Sequence, residues 1–67
     1  MKKNLLEAEM KRFGDSNETL AGALEITPTT LSRKKNGGSD FTLPELEEIK
    51  SRYGLGAEQM DEIFFTK

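Results

Sequence analysis

Residues 16–37 read SNETLAGALEITPTTLSRKKNG, a spacing that predicts two short helices joined by a tight turn. Leu20 and Leu24 stand four apart and share one face of the first of them. Ala21 beside them is small enough to let a second helix cross closely. After Glu25 and Ile26, Thr27-Pro28 starts that second helix. A threonine N-cap accepts a bond from an orphan backbone N–H, and proline at the first helical position gives up an N–H that lacks a partner anyway. Leu31 then points back to the core. Asn36-Gly37-Gly38 ends the helix with residues that tolerate positive φ.

At about 100° per residue, Thr29, Ser32, Arg33 and Asn36 of the second helix fall within roughly 100° of arc. Leu31 lies on the other side, so burying it turns this polar stripe outward. Such a stripe suits a major groove, which admits one helix and is read first by side chains near the helix start. Thr29 and Arg33 are the expected base readers. An arginine makes bidentate contacts to guanine, and the threonine methyl packs on thymine. The bland reading is a solvated polar face, as on any short surface helix.

The stretch resembles the helix-turn-helix of phage Cro and repressor proteins, the XRE-like family. The resemblance rests on Leu20-Ala21, Leu24-Glu25-Ile26, Thr27-Pro28, Leu31-Ser32 and Asn36-Gly37 at matching spacing, and extends in outline over residues 4–65. It implies a compact all-α, five-helix repressor-like domain with the second and third helices as the helix-turn-helix. It also implies base reading from Pro28, Thr29 and Arg33, with Ser32 on the same stripe. Phosphate contacts fall at Asn17, Thr30, Lys35, Asn36 and, from the loop, Ser39. Two departures stand out. The family places a small residue in the turn where this chain has Glu25, so a left-handed backbone there carries modest strain. Relatives have an apolar residue and then a glutamate where this chain has Lys34 and Lys35, and the arginine that often pairs with the glutamate is replaced by Met10. The family ion pair is therefore expected to be absent. Lys34 is expected to lay its stem on the core and lift its amine to solvent.

Composition narrows the rest. The chain has 67 residues, no cysteine and no histidine, so it is read as a single domain, 1–67, near the lower limit for folding on an apolar core alone. Neither a disulfide nor a thiolate metal site is available, and the usual neutral-pH proton shuttle is missing. No metal or other cofactor is expected. No apolar run approaches the ~18 residues of a membrane span and no signal-peptide core follows Met1-Lys2-Lys3, so a cytoplasmic protein without membrane contact is expected. The formal net charge is −2, but it is unevenly spread. Residues 1–12 carry +2, residues 13–27 −3, residues 28–39 +3 and residues 40–67 −4. One side suits DNA and the other suits solvent or a partner. Few phosphates would be neutralised, so non-specific binding should be weak.

The remaining pattern is helical throughout. Leu6, Met10 and Phe13 mark a first helix over residues 4–13, ended by Gly14. Ser16 is the expected N-cap of the second helix, with Asp15 a competitor because Asp15-x-x-Glu18 also spells a capping box. The second helix runs to residue 24 or 25 and the third over 28–36. Thr42-Leu43-Pro44-Glu45 opens a fourth, with Leu43, Leu46, Ile49 and Tyr53 inward and Glu45, Glu47 and Glu48 outward. Glu48 and Arg52 stand at i, i+4. After Gly54-Leu55-Gly56, a fifth helix over 57–65 turns Met60, Ile63 and Phe64 inward. Phe65 is left exposed, and together with Phe41 and Leu55 it is a candidate dimer contact.

These acids have neither the cleft nor the pattern of a catalytic pair, and no phosphate loop or triad is present, so an enzyme is not expected. The expectation is a Cro-like transcriptional repressor that occupies a palindromic operator in double-stranded DNA as a homodimer, without a small-molecule ligand. A different class, motivated by the acidic balance, is a protein-interaction module such as an antitoxin or regulator subunit, docking through the acidic C-terminal half.

Overall fold

The computed structural model describes residues 1–65 and is all-helical among them. Its helices are α1 (Lys3–Arg12), α2 (Asn17–Leu24), α3 (Pro28–Lys35), α4 (Leu43–Tyr53) and α5 (Ala57–Met60), the last continuing as a π-helical turn, Asp61–Phe65. No helix is long and apolar enough to cross a membrane among the described residues.

Local chemistry sets the boundaries. Ser16 caps α2 by accepting the Thr19 N–H, while Thr19 Oγ1 accepts the Ser16 N–H. The box therefore uses Thr19, and Asp15 is released for other partners. Thr27 caps α3 through the Thr30 N–H, with Pro28 next. Thr42 caps α4, and Glu45 reaches back to the Thr42 N–H at 2.8 Å. Helix α2 ends on Glu25 in the left-handed region (φ 60°), with the Ile26 N–H returning to the Ala21 carbonyl at 3.0 Å. The strain foreseen at Glu25 is thus present.

Leu6, Leu20, Leu31, Ile49 and Tyr53 are fully buried, and Met10, Ala21, Leu24, Leu55, Met60 and Ile63 complete the core. The Lys2 N–H donates to the Ile63 carbonyl at 2.7 Å, joining the start of the chain to its last turn.

Several expected placements differ. Phe13 is half-exposed because α1 stops one residue earlier, and its ring leans on Tyr53 at 5.2 Å rather than entering the core. Leu43 is 68% exposed: as the first residue of α4 it precedes the apolar face, which begins at Leu46. Leu55 is buried, so it is not a surface contact. Glu45 is also buried, between Thr42 and Lys34, instead of on the solvated side of α4. Arg52 turns away from Glu48 and pairs with Asp15. The fifth helix is α-helical only to Met60, and the π turn beyond it still buries Ile63, half-buries Phe64 and exposes Phe65.

Candidate nucleic-acid interface

Helix α3 is divided between two jobs. Leu31 is fully buried beside Leu20, Ala21 and Leu24 of α2. That leaves Pro28, Thr29 and Arg33 exposed and Ser32 half-buried, so the four expected base readers share the outward side. Arg33 has a shaped seat. A Cβ placed on Gly38 would lie 2.9 Å from Arg33 Cγ, so the loop backbone rests on the arginine stem. Only glycine permits that approach without displacing the stem.

The expected phosphate contacts do not behave as one group. Asn17 opens α2, where backbone N–H groups have no helical acceptor, but its side chain is engaged: Nδ2 donates to Ser32 Oγ at 3.2 Å and Oδ1 accepts from Lys35 Nζ at 2.8 Å. Thr30 is half-buried, and its Oγ1 accepts from Thr27 Oγ1. Asn36 is exposed and accepts from Lys3 Nζ at 2.9 Å, which brings a cation from α1 to the end of α3. Lys3 is a residue that sequence spacing could not place there. Ser39 is half-buried in the following loop.

Lys35 departs most from expectation. It is only 4% exposed, with Nζ 3.1 Å from Glu7 Oε2 and 3.9 Å from Met10 Sδ. A side chain so placed does not reach phosphate. Nor is the α1–α3 ion pair missing: it is present with its charges reversed, the acid on α1 and the base on α3. Lys34 is withdrawn as well. Its amine is not lifted to solvent but lies 2.6 Å from Glu45 Oε1, both side chains about 10% exposed, and 6.0 Å from the centre of the Phe41 ring. Burial opposes ionisation of Glu45, yet the Lys34 bond and the Thr42 N–H outweigh it and hold its carboxyl below the ordinary value. Of the three cations on α3, Arg33 alone is exposed.

Behind this face, Asp15 ties the α1–α2 turn to α4. Arg52 Nε and Nη2 reach its two oxygens at 2.8 and 2.7 Å, Tyr53 Oη donates at 2.7 Å, and Thr19 Oγ1 donates at 2.8 Å. The Arg52 bonds, against the cost of burial and with help from Tyr53 and Thr19, hold the Asp15 carboxyl far below the usual carboxylate range. Burial first, and then the bond to Asp15, push the Tyr53 hydroxyl well above its ordinary value.

Next to the end of α3, Met1, Phe41, Leu46, Phe64 and Phe65 line an open groove of about 350 Å³, with Lys34 and Ser39 on its wall. Phe41 meets Phe64 edge-on at 5.4 Å, and Phe65 is 63% exposed. No group of three or more metal-ligating residues occurs among the described residues. Compared with protein-family models, curated proteins and solved structures, the chain matches none.

Proposed function

We propose that this chain is a sequence-specific transcriptional regulator of the Cro-like repressor kind, which lays α3 in the major groove of duplex DNA. One observation carries the reading. The capped start of α3 buries Leu31 against α2 and leaves Pro28, Thr29 and Arg33 free on the opposite side, as a groove-reading helix requires. In this reading Arg33 takes a guanine edge, Thr29 a thymine methyl, and Lys3 with Asn36 a flanking phosphate. A homodimer on a palindromic operator in the cytoplasm would then repress by occupancy, with Phe65 and Phe41 as the available apolar contacts between copies.

The thin supply of cations makes the reading quantitative. With Lys34 and Lys35 engaged internally, few phosphates are neutralised, so affinity falls only shallowly with salt, at about 0.9 log units per tenfold salt for each phosphate met. The test is an amide NMR titration with DNA at low salt, followed by selection of a preferred duplex. Shifts at Asn17, residues 28–37 and the next loop are expected. Arg33→Ala then weakens the selected duplex by about 1–3 kcal/mol. If those amides stay still at high DNA concentration, the reading fails. The second reading, a protein-interaction module, is favoured by the exposed acids Glu47, Glu48, Glu58 and Glu62 on the C-terminal half. It predicts that a protein partner, and not DNA, moves the amides of α4 and α5.

A further inference from the structure

The contacts of Lys35 fix more than an ion pair. An ammonium has three donors and no acceptor, so the atom of Asn17 that faces it at 2.8 Å must be the carboxamide oxygen. That choice leaves the Asn17 NH₂ toward Ser32, whose Oγ lies 3.2 Å away. Because Nδ2 donates, Ser32 Oγ accepts there, and its own O–H proton is not spent on Asn17. Ser32 donates to no other group among the described residues. An amide with the opposite orientation would present Oδ1 to Ser32 and consume that proton.

We propose that Lys35 is a positioning residue for the candidate interface: through Asn17 it leaves the half-buried Ser32 hydroxyl as a donor aimed at an acceptor on DNA. The inference rests on the DNA reading above, and deepens it by giving Ser32 one polarity. The acceptor is an oxygen or ring nitrogen, either on a base edge (guanine O6 or N7, adenine N7, thymine O4) or on a phosphate. The geometry of α3 agrees. At about 100° per residue Lys35 falls some 40° from Leu31, and Ser32 lies about 60° further round, at the edge of the exposed stripe. The ammonium is held against Glu7, so its charge polarises the Asn17 amide from within and strengthens the next bond in the chain.

The test has one arm without DNA and one with it. In the free protein, the Asn17 side-chain NH₂ protons should show cross-relaxation to the Ser32 β protons and not to the Lys35 ε protons. The reverse pattern overturns the proposal whatever the protein binds. With a duplex selected by the parent chain, Lys35→Met and Ser32→Ala should each weaken binding about three- to tenfold, the value of one neutral hydrogen bond. The double variant should lose no more than either alone, because both remove the same donor. Lys35→Gln keeps a donor facing Asn17 and should restore binding, whereas a purely structural Lys35 would change thermal stability without this pattern. Loss confined to duplexes that keep one particular base pair assigns the acceptor to a base edge; equal loss on every duplex assigns it to phosphate. Additive losses, or a Lys35→Met variant that folds and binds like the parent, overturn the proposal. If the parent selects no sequence and binds no duplex, the DNA reading fails and the interface role fails with it, while the free-protein arm still reports the amide orientation.

Discussion

Asp15 and Asn17 stand two residues apart at the start of α2, yet their side chains take partners from different helices and finish differently. Asp15 faces α4 and is saturated: two bonds from Arg52, one from Tyr53 and one from Thr19. Asn17 faces α3 and is one link in an open chain, taking a bond from Lys35 and giving one to Ser32, whose proton is left over. A closed polar network has nothing left to offer a ligand, so its effect is on stability. An open one at a surface has a remaining donor, so its effect is on recognition. The same short stretch of backbone thus serves both a clamp to α4 and the candidate interface on α3.

The comparison breaks most visibly at the clamp. Asp15→Ala leaves Arg52 and Tyr53 with donors that lack their acceptor, and should cost about 2–4 kcal/mol of stability. In a domain of this size each kcal/mol moves the melting temperature by roughly 4–8 °C, so a thermal melt reads the change easily. Asn17→Ala, two residues away, should cost only about 1 kcal/mol while weakening the selected duplex. Equal losses of stability in the two variants would show that the division into clamp and interface is wrong.

Acid sharpens the same contrast. The folded-state pKa of Asp15 is depressed below its ordinary value of 3.8, so the clamp contributes stability above about pH 4 and loses it as pH falls further. Denaturant midpoints measured from pH 6 to pH 2 should therefore drop for the parent chain in this window and drop less for Asp15→Asn. Tyr53 carries the opposite sign. Its hydroxyl is held protonated in the fold above its ordinary value of 10.0, so that contribution is full below about pH 10 and is lost as pH rises past it. The Asn17 amide does not titrate and adds no limb of its own. A parent chain whose midpoint stays flat down to pH 2 would place the stability elsewhere.

How much of this was legible depended on whether the signal was local. The caps Ser16, Thr27 and Thr42 and the face formed by Leu20, Leu24 and Leu31 follow from spacing alone, and the structure has them there. The clamp was hidden because Asp15 and Arg52 are 37 residues apart, and no local pattern distinguishes that pair from Glu48 with Arg52. Lys34 and Lys35 are a different case. On a helical wheel they fall about 60° and 40° either side of Leu31, so periodicity already placed both toward the interior. The habit of treating lysine as a surface charge concealed it, although two acids from other helices, Glu45 and Glu7, make that placement tolerable. The positive sum over residues 28–39 therefore overstated the cationic surface. Leu43 erred the other way: its apolarity suggested the core, whereas its place in the first turn left nothing to pack against.

The smallest effect lies at the far end of α2. Asp15 and Asn17 both act at its beginning; Glu25 ends it, in the left-handed region just before α3. Glu25 is the one non-glycine residue with positive φ among the described residues, while Gly37 and Gly54 adopt the same region at the ends of α3 and α4. A side chain there costs on the order of 1 kcal/mol or more, partly offset by the smaller entropy of the unfolded chain compared with glycine. Glu25→Gly should therefore stabilise by about 0.5–1 kcal/mol, seen as a rise of a few degrees in melting temperature. Neither network includes Glu25, so the acid limb set by Asp15 and the Asn17 to Ser32 cross-relaxation should both be unchanged. A gain in stability with those readouts intact would mean the turn is strained only locally, and that α3 is oriented by its packing and by Lys35 rather than by the turn. A gain accompanied by loss of the Asn17 contact would mean that Glu25 holds α3 at the angle the candidate interface needs, and that the strain serves the site.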